Sequence, residues 1–338
     1  MKPTIYDVAE KAGVSIATVS KVINNTGKIG AETKENVLQV MNDINYYPSM
    51  LASAMMGKRT NTIGLLVPDI ANPFFAELAR SIEDTGQEKG YNVVICNTDN
   101  NPEKEIQYLE WLKQKSTDGV VIATGVQKEE TFKELIKENI PFALISRNLS
   151  SIPVDTVLLD DYLGGYQAGA HLILTGCRNA ICLTLNVKTS SEKERLRGFK
   201  KALLDHEITY NEEYTISCDG TIENSTNVIN DFLKVNKNID AIFALNDMIA
   251  IGAVNGARSF GYNIPEDISI IGFDNTILAT ISHPPLTSIA QPIEDMGSQV
   301  IHLLVETIEG KKQSKKQVIL SPELIVRETT KINQNNKK

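Results

Sequence analysis

The chain has 338 residues, of which 42% are apolar and 22% are charged, and its formal net charge is -8. This composition excludes a disordered, collagenous or disulfide-stapled protein and predicts a globular chain of two or more domains. No uncharged apolar window reaches the ~18 residues that a membrane helix needs. Lys2, Asp7, Glu10 and Lys11 lie where a signal peptide would be apolar, so we expect a cytoplasmic protein without a membrane partner.

The charge is distributed unevenly along the chain. Residues 1–60 carry seven basic and five acidic side chains, a net charge of +2, which leaves -10 for the remaining residues. Because an acidic body repels nucleic acid, any nucleic-acid binding is expected within the first sixty residues.

The first predicted elements are two short helices joined by a tight turn. Thr4 and Asp7 have the spacing of a capping box, and apolar residues then recur at helical spacing up to Gly13. Ser15 is placed to cap the second helix. The buried side of that helix is expected to hold Val19, Val22 and Ile23. A third helix is predicted from about residue 31 to residue 45.

The first sixty residues end in a short segment. Tyr46–Pro48 ends the third helix, and Pro48 suits the first turn of a further helical segment over Ser49–Met56, which Gly57 ends.

From Thr60 onward, short apolar runs alternate with amphipathic stretches. The predicted strands are Ile63–Val67, Asn92–Cys96, Gly119–Ala123, Phe142–Ile145, Thr156–Leu159, Ala180–Leu185, Ala241–Leu245 and Ile268–Phe273, with a last strand region at Val318–Val326. The predicted helices include Phe74–Glu88, Glu103–Lys115, Tyr162–Leu174, Glu192–Asp205, Met248–Phe260 and Ile293–Glu309. This alternation predicts doubly wound parallel sheets, and the ~250–300-residue limit on one core predicts two of them.

The first three helices fit a helix-turn-helix, because a glycine lies in the turn and the segment is net positive. An ordinary three-helix packing unit is the alternative. The outward face of the second helix favours DNA binding, since it would expose Ile16, Ala17 and Lys21. Apolar groups there can contact thymine methyls, and a lysine can bind guanine or phosphate.

Specific runs of residues then carry a resemblance. Thr4–Ser15 reads TIYDVAEKAGVS and Thr18–Asn24 reads TVSKVIN, and both resemble the head of the lactose-repressor/galactose-repressor family of bacterial transcription regulators. The likeness covers nearly the whole chain, with further matches at Asn45–Pro48, Ala52–Lys58, Thr62–Asp69, Asn72–Phe75, Ile271–Asn275 and Pro285–Ile289. Within the family, the chain looks most similar to the catabolite-control-like regulators of Gram-positive bacteria.

The resemblance implies roles for matching positions in the head. Ile16, Ala17 and Lys21 would read bases in the major groove. Phosphates would be held by Thr18, Ser20 and Asn24. For Thr18 and Ser20, capping or solvation is the alternative. Lys21 stands where arginine is common in the family, so the two-pronged guanine contact of arginine is lost.

The resemblance also makes Ser49–Met56 a hinge helix that is too short to be stable alone and folds when paired in the minor groove. Ala52 would line the close approach of two such helices. Met55 would insert between base pairs, where the family usually has leucine. The alternative is a flexible linker whose methionines dock on the core.

Polar residues follow several predicted strands, where doubly wound sheets bind ligands. Each alone is more typical of a cap or a turn, but together they predict a polar cleft: Asp69, Ser146, Arg147, Asn246, Asp247 and Asp274. The resemblance implies effector contacts at Phe74, Arg195, Asn246 and Asp274, to which we add Ser146 and Arg147. Such donors and acceptors suit sugar hydroxyls or a comparable polar metabolite.

The predicted cleft also departs from the family. Ser146 stands where aspartate is frequent, and Gly220 stands where an aromatic ring often stacks on the effector. An altered small ligand, a phosphorylated partner protein or no physiological small ligand therefore remain open.

Other classes of protein have little support in the sequence. There is no GxGxxG, P-loop or GxSxG motif, and none of the four histidines has an adjacent nucleophile, so we predict that the chain is not an enzyme. A solute-binding protein shares the core architecture but has no use for a DNA-reading head. We predict no cofactor or metal, and buried reduced thiols at Cys96, Cys177, Cys182 and Cys218.

The sequence thus predicts a homodimeric transcriptional regulator, a repressor by our interpretation, that binds a pseudo-palindromic double-stranded DNA operator and responds to an effector in the core. The expected fold is an all-α helix-turn-helix head and hinge helix, followed by an α/β core of two doubly wound parallel-sheet lobes, similar to periplasmic binding proteins. The predicted domains are a head (1–47), a hinge (48–59), an N-terminal lobe (60–160 with 291–322), a C-terminal lobe (161–290 with 323–332) and a frayed tail (333–338).

Overall fold

A computed structural model describes residues 3–23, 26–47, 59–124, 129–147, 152–185, 189–312 and 314–331. The chain divides into two compact units, residues 1–60 and 61–338. The expected hinge helix and the expected tail lie outside the described residues. Within the described ranges, no helix is long and apolar enough to cross a membrane.

The first unit is a three-helix head. Its helices are α1 (Ile5–Ala12), α2 (Ile16–Ile23) and α3 (Ala31–Asp43). The predicted capping box is present, because the Thr4 amide and hydroxyl donate to Asp7 Oδ2 at 2.6 and 2.7 Å. These bonds lower the pKa of Asp7. Gly13 ends α1 with a φ of 66°, in the left-handed region that favours glycine.

The core of the head forms where the three helices meet. The Ser15 hydroxyl accepts a hydrogen bond from the Thr18 amide at 3.1 Å and so caps α2, as predicted. The buried cluster consists of Val8, Ala9, Ala12, Val19, Val22 and Val37. Packing of these small side chains leaves the opposite face of α2 exposed.

The first sheet of the second unit forms the N-terminal lobe. Its strands are β1 (Thr62–Val67), β2 (Asn92–Asn97), β3 (Gly119–Ile122), β4 (Phe142–Ile145), β5 (Asp155–Leu159) and β11 (Gln317–Leu320). They pair in parallel in the order β11-β5-β4-β3-β1-β2. The sheet is covered by α4 (Pro73–Glu88) and α12 (Ile293–Ile308) on one face and by α5 (Pro102–Gln114) and α6 (Glu129–Lys137) on the other. Because both faces are covered, β3 and β4 are buried at every residue.

The second sheet forms the C-terminal lobe. Its strands are β6 (Ala180–Leu185), β7 (Thr215–Cys218), β8 (Ala241–Ala244), β9 (Ser269–Asp274), β10 (Thr287–Ala290) and β12 (Glu323–Ile325). Their order is β12-β10-β9-β8-β6-β7, and only the β10–β12 pair is antiparallel among these described strands. The helices are α7 (Asp161–Leu174), α8 (Ser190–Asp205), α9 (Ile222–Val235), α10 (Asp247–Ser259) and α11 (Ile277–Ile281), with a short 3₁₀ turn at Glu212–Tyr214.

The two sheets confirm the predicted fold class of two doubly wound lobes. The described chain passes between the lobes after β5, after β10 and after β11, and we call these three passages the crossovers. The four cysteines are buried and unpaired, as predicted.

Candidate functional site

The outer face of α2 presents the residues predicted to read bases. Ile16 is 41% exposed, although it is apolar, and Ala17 and Lys21 are exposed beside it. Val19 and Val22 point the other way and are buried. The face therefore has the exposed methyl groups and the cation that the predicted role requires.

The predicted phosphate contacts have a different environment. The Thr18 hydroxyl lies 2.9 Å from the Ser15 hydroxyl at the start of α2, so it takes part in the capping that was its alternative role. Ser20 is half-buried. Asn24, Ala52 and Met55 lie outside the described residues. Tyr6 on α1 is 68% exposed, and the sequence analysis did not single it out, although it stands outside the buried stripe of its helix.

The two lobes contact each other across the carboxyl ends of their strands. The Ser191 hydroxyl of α8 donates to the Ser146 carbonyl after β4 at 3.1 Å. The Ile277 amide of α11 donates to Glu77 Oε1 on α4, also at 3.1 Å. A cleft is therefore present at the strand ends, as predicted.

Arg195 lies at the centre of a buried ion cluster in this cleft. Its Nε is 2.8 Å from Asp161 Oδ1, and its Nη1 is 3.5 Å from Asp274 Oδ1. Nη1 also donates to the Leu245 carbonyl at 2.7 Å, and the guanidinium lies 3.6 Å from the centre of the Phe273 ring. Since Arg195 is only 8% exposed, these contacts replace the water that it loses.

Asp274 is the carboxylate that closes this cluster. It ends β9, is almost fully buried, and its Oδ1 accepts from Gln291 Nε2 at 2.6 Å. Burial raises the pKa of Asp274 to about 8, with Arg195 opposing the shift and Asp247 adding to it. Asp247 is itself buried, and three bonds from Thr276 and Ser288 hold its carboxylate. Burial raises the pKa of Asp247 to about 6.

The other predicted effector contacts are divided between the cleft and the interior. Asn246 caps α10, where its Oδ1 accepts from the Ile249 amide at 2.9 Å. The Ser146 hydroxyl is buried and has no described partner. Arg147 instead donates to the Thr124 carbonyl at 2.6 Å inside the N-terminal lobe, and burial lowers the pKa of Arg147. Phe74 is buried at the start of α4, with its ring edge against Phe75.

The structure therefore brings Arg195, Asp274 and the neighbourhood of Asn246 together and places Ser146 where the lobes touch. It turns Arg147 and Phe74 toward the N-terminal lobe. Sequence reasoning missed Asp161 and Gln291. A position next to a strand end was the only signal for Asp161, and nothing local distinguishes Gln291. Among the described residues, no group of three histidine, cysteine, aspartate or glutamate side chains could hold a metal ion.

The raised pKa of Asp274 predicts a pH dependence of stability. The folded state keeps a proton on Asp274 that the unfolded chain releases near its ordinary pKa, so the free energy of unfolding should fall as the pH rises from 6 to 8. The slope is at most about 1.4 kcal/mol per pH unit for one group, and it levels off above pH 8. Asp274→Asn should flatten this slope in urea unfolding curves.

Asp267→Asn is the matched control for this measurement. Asp267 is exposed and bonded to Asn263, which lowers the Asp267 pKa, so it stays ionised throughout this pH range. Equal slopes for the wild-type chain and Asp274→Asn would show that Asp274 is ionised in the folded protein at pH 6.

An exposed apolar face on a three-helix head and a polar cleft between two parallel α/β lobes define a DNA-binding unit joined to a ligand-binding core. Residues 4–49 match the bacterial regulatory proteins of the lacI family, and residues 60–330 match the periplasmic binding proteins and sugar binding domain of the LacI family. The chain belongs to the lacI family and is a transcriptional regulator.

The relatives span the whole chain. The HTH-type transcriptional regulator DegA of Bacillus subtilis (strain 168) is 44% identical over 98% of both chains. Catabolite control protein A of Priestia megaterium is 33% identical over 98% of this chain and 100% of its own, which bears out the resemblance to that group. A LacI family transcriptional regulator from Enterococcus faecium, solved with bound ribose, is 33% identical, has a TM-score of 0.73, and matches 80% of this chain and 98% of its own.

Proposed function

We propose that the chain is a homodimeric repressor whose affinity for a pseudo-palindromic DNA operator changes when a sugar or a related polar metabolite binds in the cleft. The observation that carries this proposal is the buried cluster of Arg195 and Asp274 at the strand ends of a core that is joined to a DNA-reading head. Clefts with a few buried donors and acceptors are typical of small-ligand sites. The ribose bound to the Enterococcus regulator supports a sugar.

In the head, we propose that Ile16, Ala17 and Lys21 read bases and that Thr18, Ser20 and Asn24 hold phosphates. The exposure of α2 supports the first group, because a methyl group that meets a thymine must reach the surface. Ala52 and Met55 keep their proposed place in the minor groove. A regulator that binds chromosomal DNA acts in the cytoplasm, and this is the location that we propose.

In the core, we propose that Arg195, Asn246 and Asp274 bind effector hydroxyls. The capping bond of Asn246 uses only its Oδ1, so its Nδ2 can still donate to a ligand. The buried, unpartnered Ser146 hydroxyl is a further proposed contact. Phe74 and Arg147 need a side-chain rearrangement to reach a ligand. The phosphorylated partner protein stays a prediction, and so does the absence of catalysis.

Two exposed apolar surfaces support the homodimer. Ile277 and Ile281 on α11 are 55% and 67% exposed. The edge strand β2 and α5 form a surface groove of about 430 Å³, in which Ile95 and Trp111 are 45% and 41% exposed. Exposed apolar groups beside an unpaired sheet edge are typical of surfaces that another chain covers.

Selection of bound sequences from a random DNA pool by the full chain tests the proposal. We expect enrichment of a two-fold symmetric sequence, and a change in its measured affinity when D-ribose is titrated, with further sugars as alternative probes. A chain that enriches no sequence would contradict the DNA-binding half. Sugars that neither change operator affinity nor raise the melting temperature would contradict the effector half, since a ligand of the folded state stabilises it.

Ile16→Ala should lower affinity for the selected operator and relax the preference at the base pair that Ile16 contacts. The expected loss is about 1 kcal/mol or more per half-site, at the low end of what a mismatched base pair costs. Fluorescence anisotropy with the operator and single-base variants measures it.

Leu38→Ala is the control for Ile16→Ala. Leu38 is an apolar residue of the head with a similar exposure of 46%, but it lies on α3. The base-reading assignment would be wrong if both variants weaken binding equally, or if Ile16→Ala weakens binding to every sequence by the same factor.

A further inference from the structure

Gln291 lies in the second crossover, between β10 and α12. Its side chain is buried, with 7% of its surface exposed. The other crossovers pass through Asp160, after β5, and through residues 321–322, after β11. When two lobes change their angle, the backbone of such connecting segments absorbs the change.

Two hydrogen bonds tie the second crossover to the cleft. The Gln291 side chain donates from Nε2 to Asp274 Oδ1 at 2.6 Å. The Gln291 amide donates to the Asp274 carbonyl at 3.3 Å. Asp274 itself has a φ of 104°, in the left-handed region, so its backbone is held in a conformation that few aspartates adopt. A displacement of the Asp274 carboxylate therefore pulls directly on Gln291.

The same cluster reaches the other crossovers through Arg195. Arg195 bridges from Asp274 to Asp161, the first residue of α7, which directly follows Asp160. The Asp160 amide donates to the Leu320 carbonyl at 2.8 Å, at the end of β11 where the third crossover begins. One buried set of contacts therefore connects the three crossovers of the described chain with two of the proposed effector-binding side chains.

We propose that Gln291 is a positioning residue that transmits occupancy of the cleft to the angle between the lobes. The proposal rests on the proposed function, in which Arg195 and Asp274 bind the effector. A ligand hydroxyl that bonds to Asp274 competes with Gln291 for the same carboxylate, so ligand binding and the Gln291 contact are energetically coupled. Coupling of this kind requires that the ligand bind the two lobe arrangements with different affinity.

The test compares Gln291→Met with Gln299→Met in the full chain. Methionine has a similar length and flexibility but donates no hydrogen bond. Gln299 lies on α12 with its side chain exposed, so it is the matched control. Spin labels at Lys133→Cys on α6 and Lys234→Cys on α9 report the distance between the lobes, because both positions are exposed and the native cysteines are buried. Labelled chain is diluted with unlabelled chain, so that only distances within one chain are measured.

We expect Gln291→Met to shift or broaden the inter-lobe distance distribution and to change operator affinity by about 5-fold or more, the lower end of typical allosteric coupling. Gln299→Met should match the wild-type chain in both measurements. A distance distribution of Gln291→Met that overlays the wild type would overturn the proposal. A shifted distribution with unchanged operator affinity would also overturn it, because the lobe angle would then not reach the DNA. If the wild-type chain binds no operator, the proposed function fails, whereas the distance comparison still decides the role of Gln291.

Discussion

Arg195→Met is expected to destabilise the core by about 3–5 kcal/mol, the cost of removing one partner of a buried ion pair. The Asp161 carboxylate would keep its burial but lose the donor at 2.8 Å, and methionine replaces none of the bonds that Arg195 makes to Asp161 and Leu245. Urea unfolding followed by circular dichroism measures the loss. Because Arg195 lowers the pKa of Asp274, the variant should go on losing stability above pH 8, where the wild-type chain levels off.

Arg197→Met is the control for Arg195→Met. Arg197 lies two residues further along α8, pairs with Glu194 and has a side chain that is 63% exposed. Exposed ion pairs contribute about 0–1 kcal/mol, so this variant should stay within that range. Equal losses for the two variants would mean that the Arg195 cluster adds nothing beyond the helical position.

The sequence predicted most of the strands because parallel sheets covered on both faces require continuous apolar runs. Strands β7 and β10 were not predicted. They read TISC and TSIA, and residues with hydroxyl groups break the apolar signal. In β10, Thr287 and Ser288 are buried because distant residues satisfy their hydroxyls. The partners are Thr330, the Arg327 amide and Asp247. No local pattern carries that information.

The site followed the same rule. Arg195, Asn246 and Asp274 could be placed near one cleft because the carboxyl ends of neighbouring parallel strands, and the helices that follow them, meet at one edge. The orientation of a side chain depends on its tertiary partners. Arg147 follows β4 as predicted, but it bonds to the Thr124 carbonyl of the adjacent strand end. Gln291 becomes a partner of Asp274 only because the chain returns to the N-terminal lobe there.

The position of Arg195 also depends on how closely α7 and α8 approach each other. A Cβ atom added to Gly165 of α7 would lie 1.9 Å from the carbonyl oxygen of Arg195, and one added to Gly198 of α8 would lie 1.9 Å from the carbonyl oxygen of Tyr162. Backbone atoms obstruct both positions, so no side-chain rotation can relieve the contact. The two glycines therefore set the distance between the helices that hold Asp161 and Arg195.

Gly165→Ala is accordingly expected to destabilise the core by about 3 kcal/mol or more, at or beyond the upper end of typical overpacking costs. The gain of about 1 kcal/mol in helix propensity is too small to offset this. Gly86→Ala on α4 is the control, because a Cβ there would meet the end of the Val93 side chain at 3.1 Å, which can rotate away, so its effect should stay within about 1 kcal/mol. Urea unfolding compares the two variants. A loss at Gly165 no larger than the loss at Gly86 would show that α8 can move without cost, and Arg195 would then not be held in place by the helix crossing.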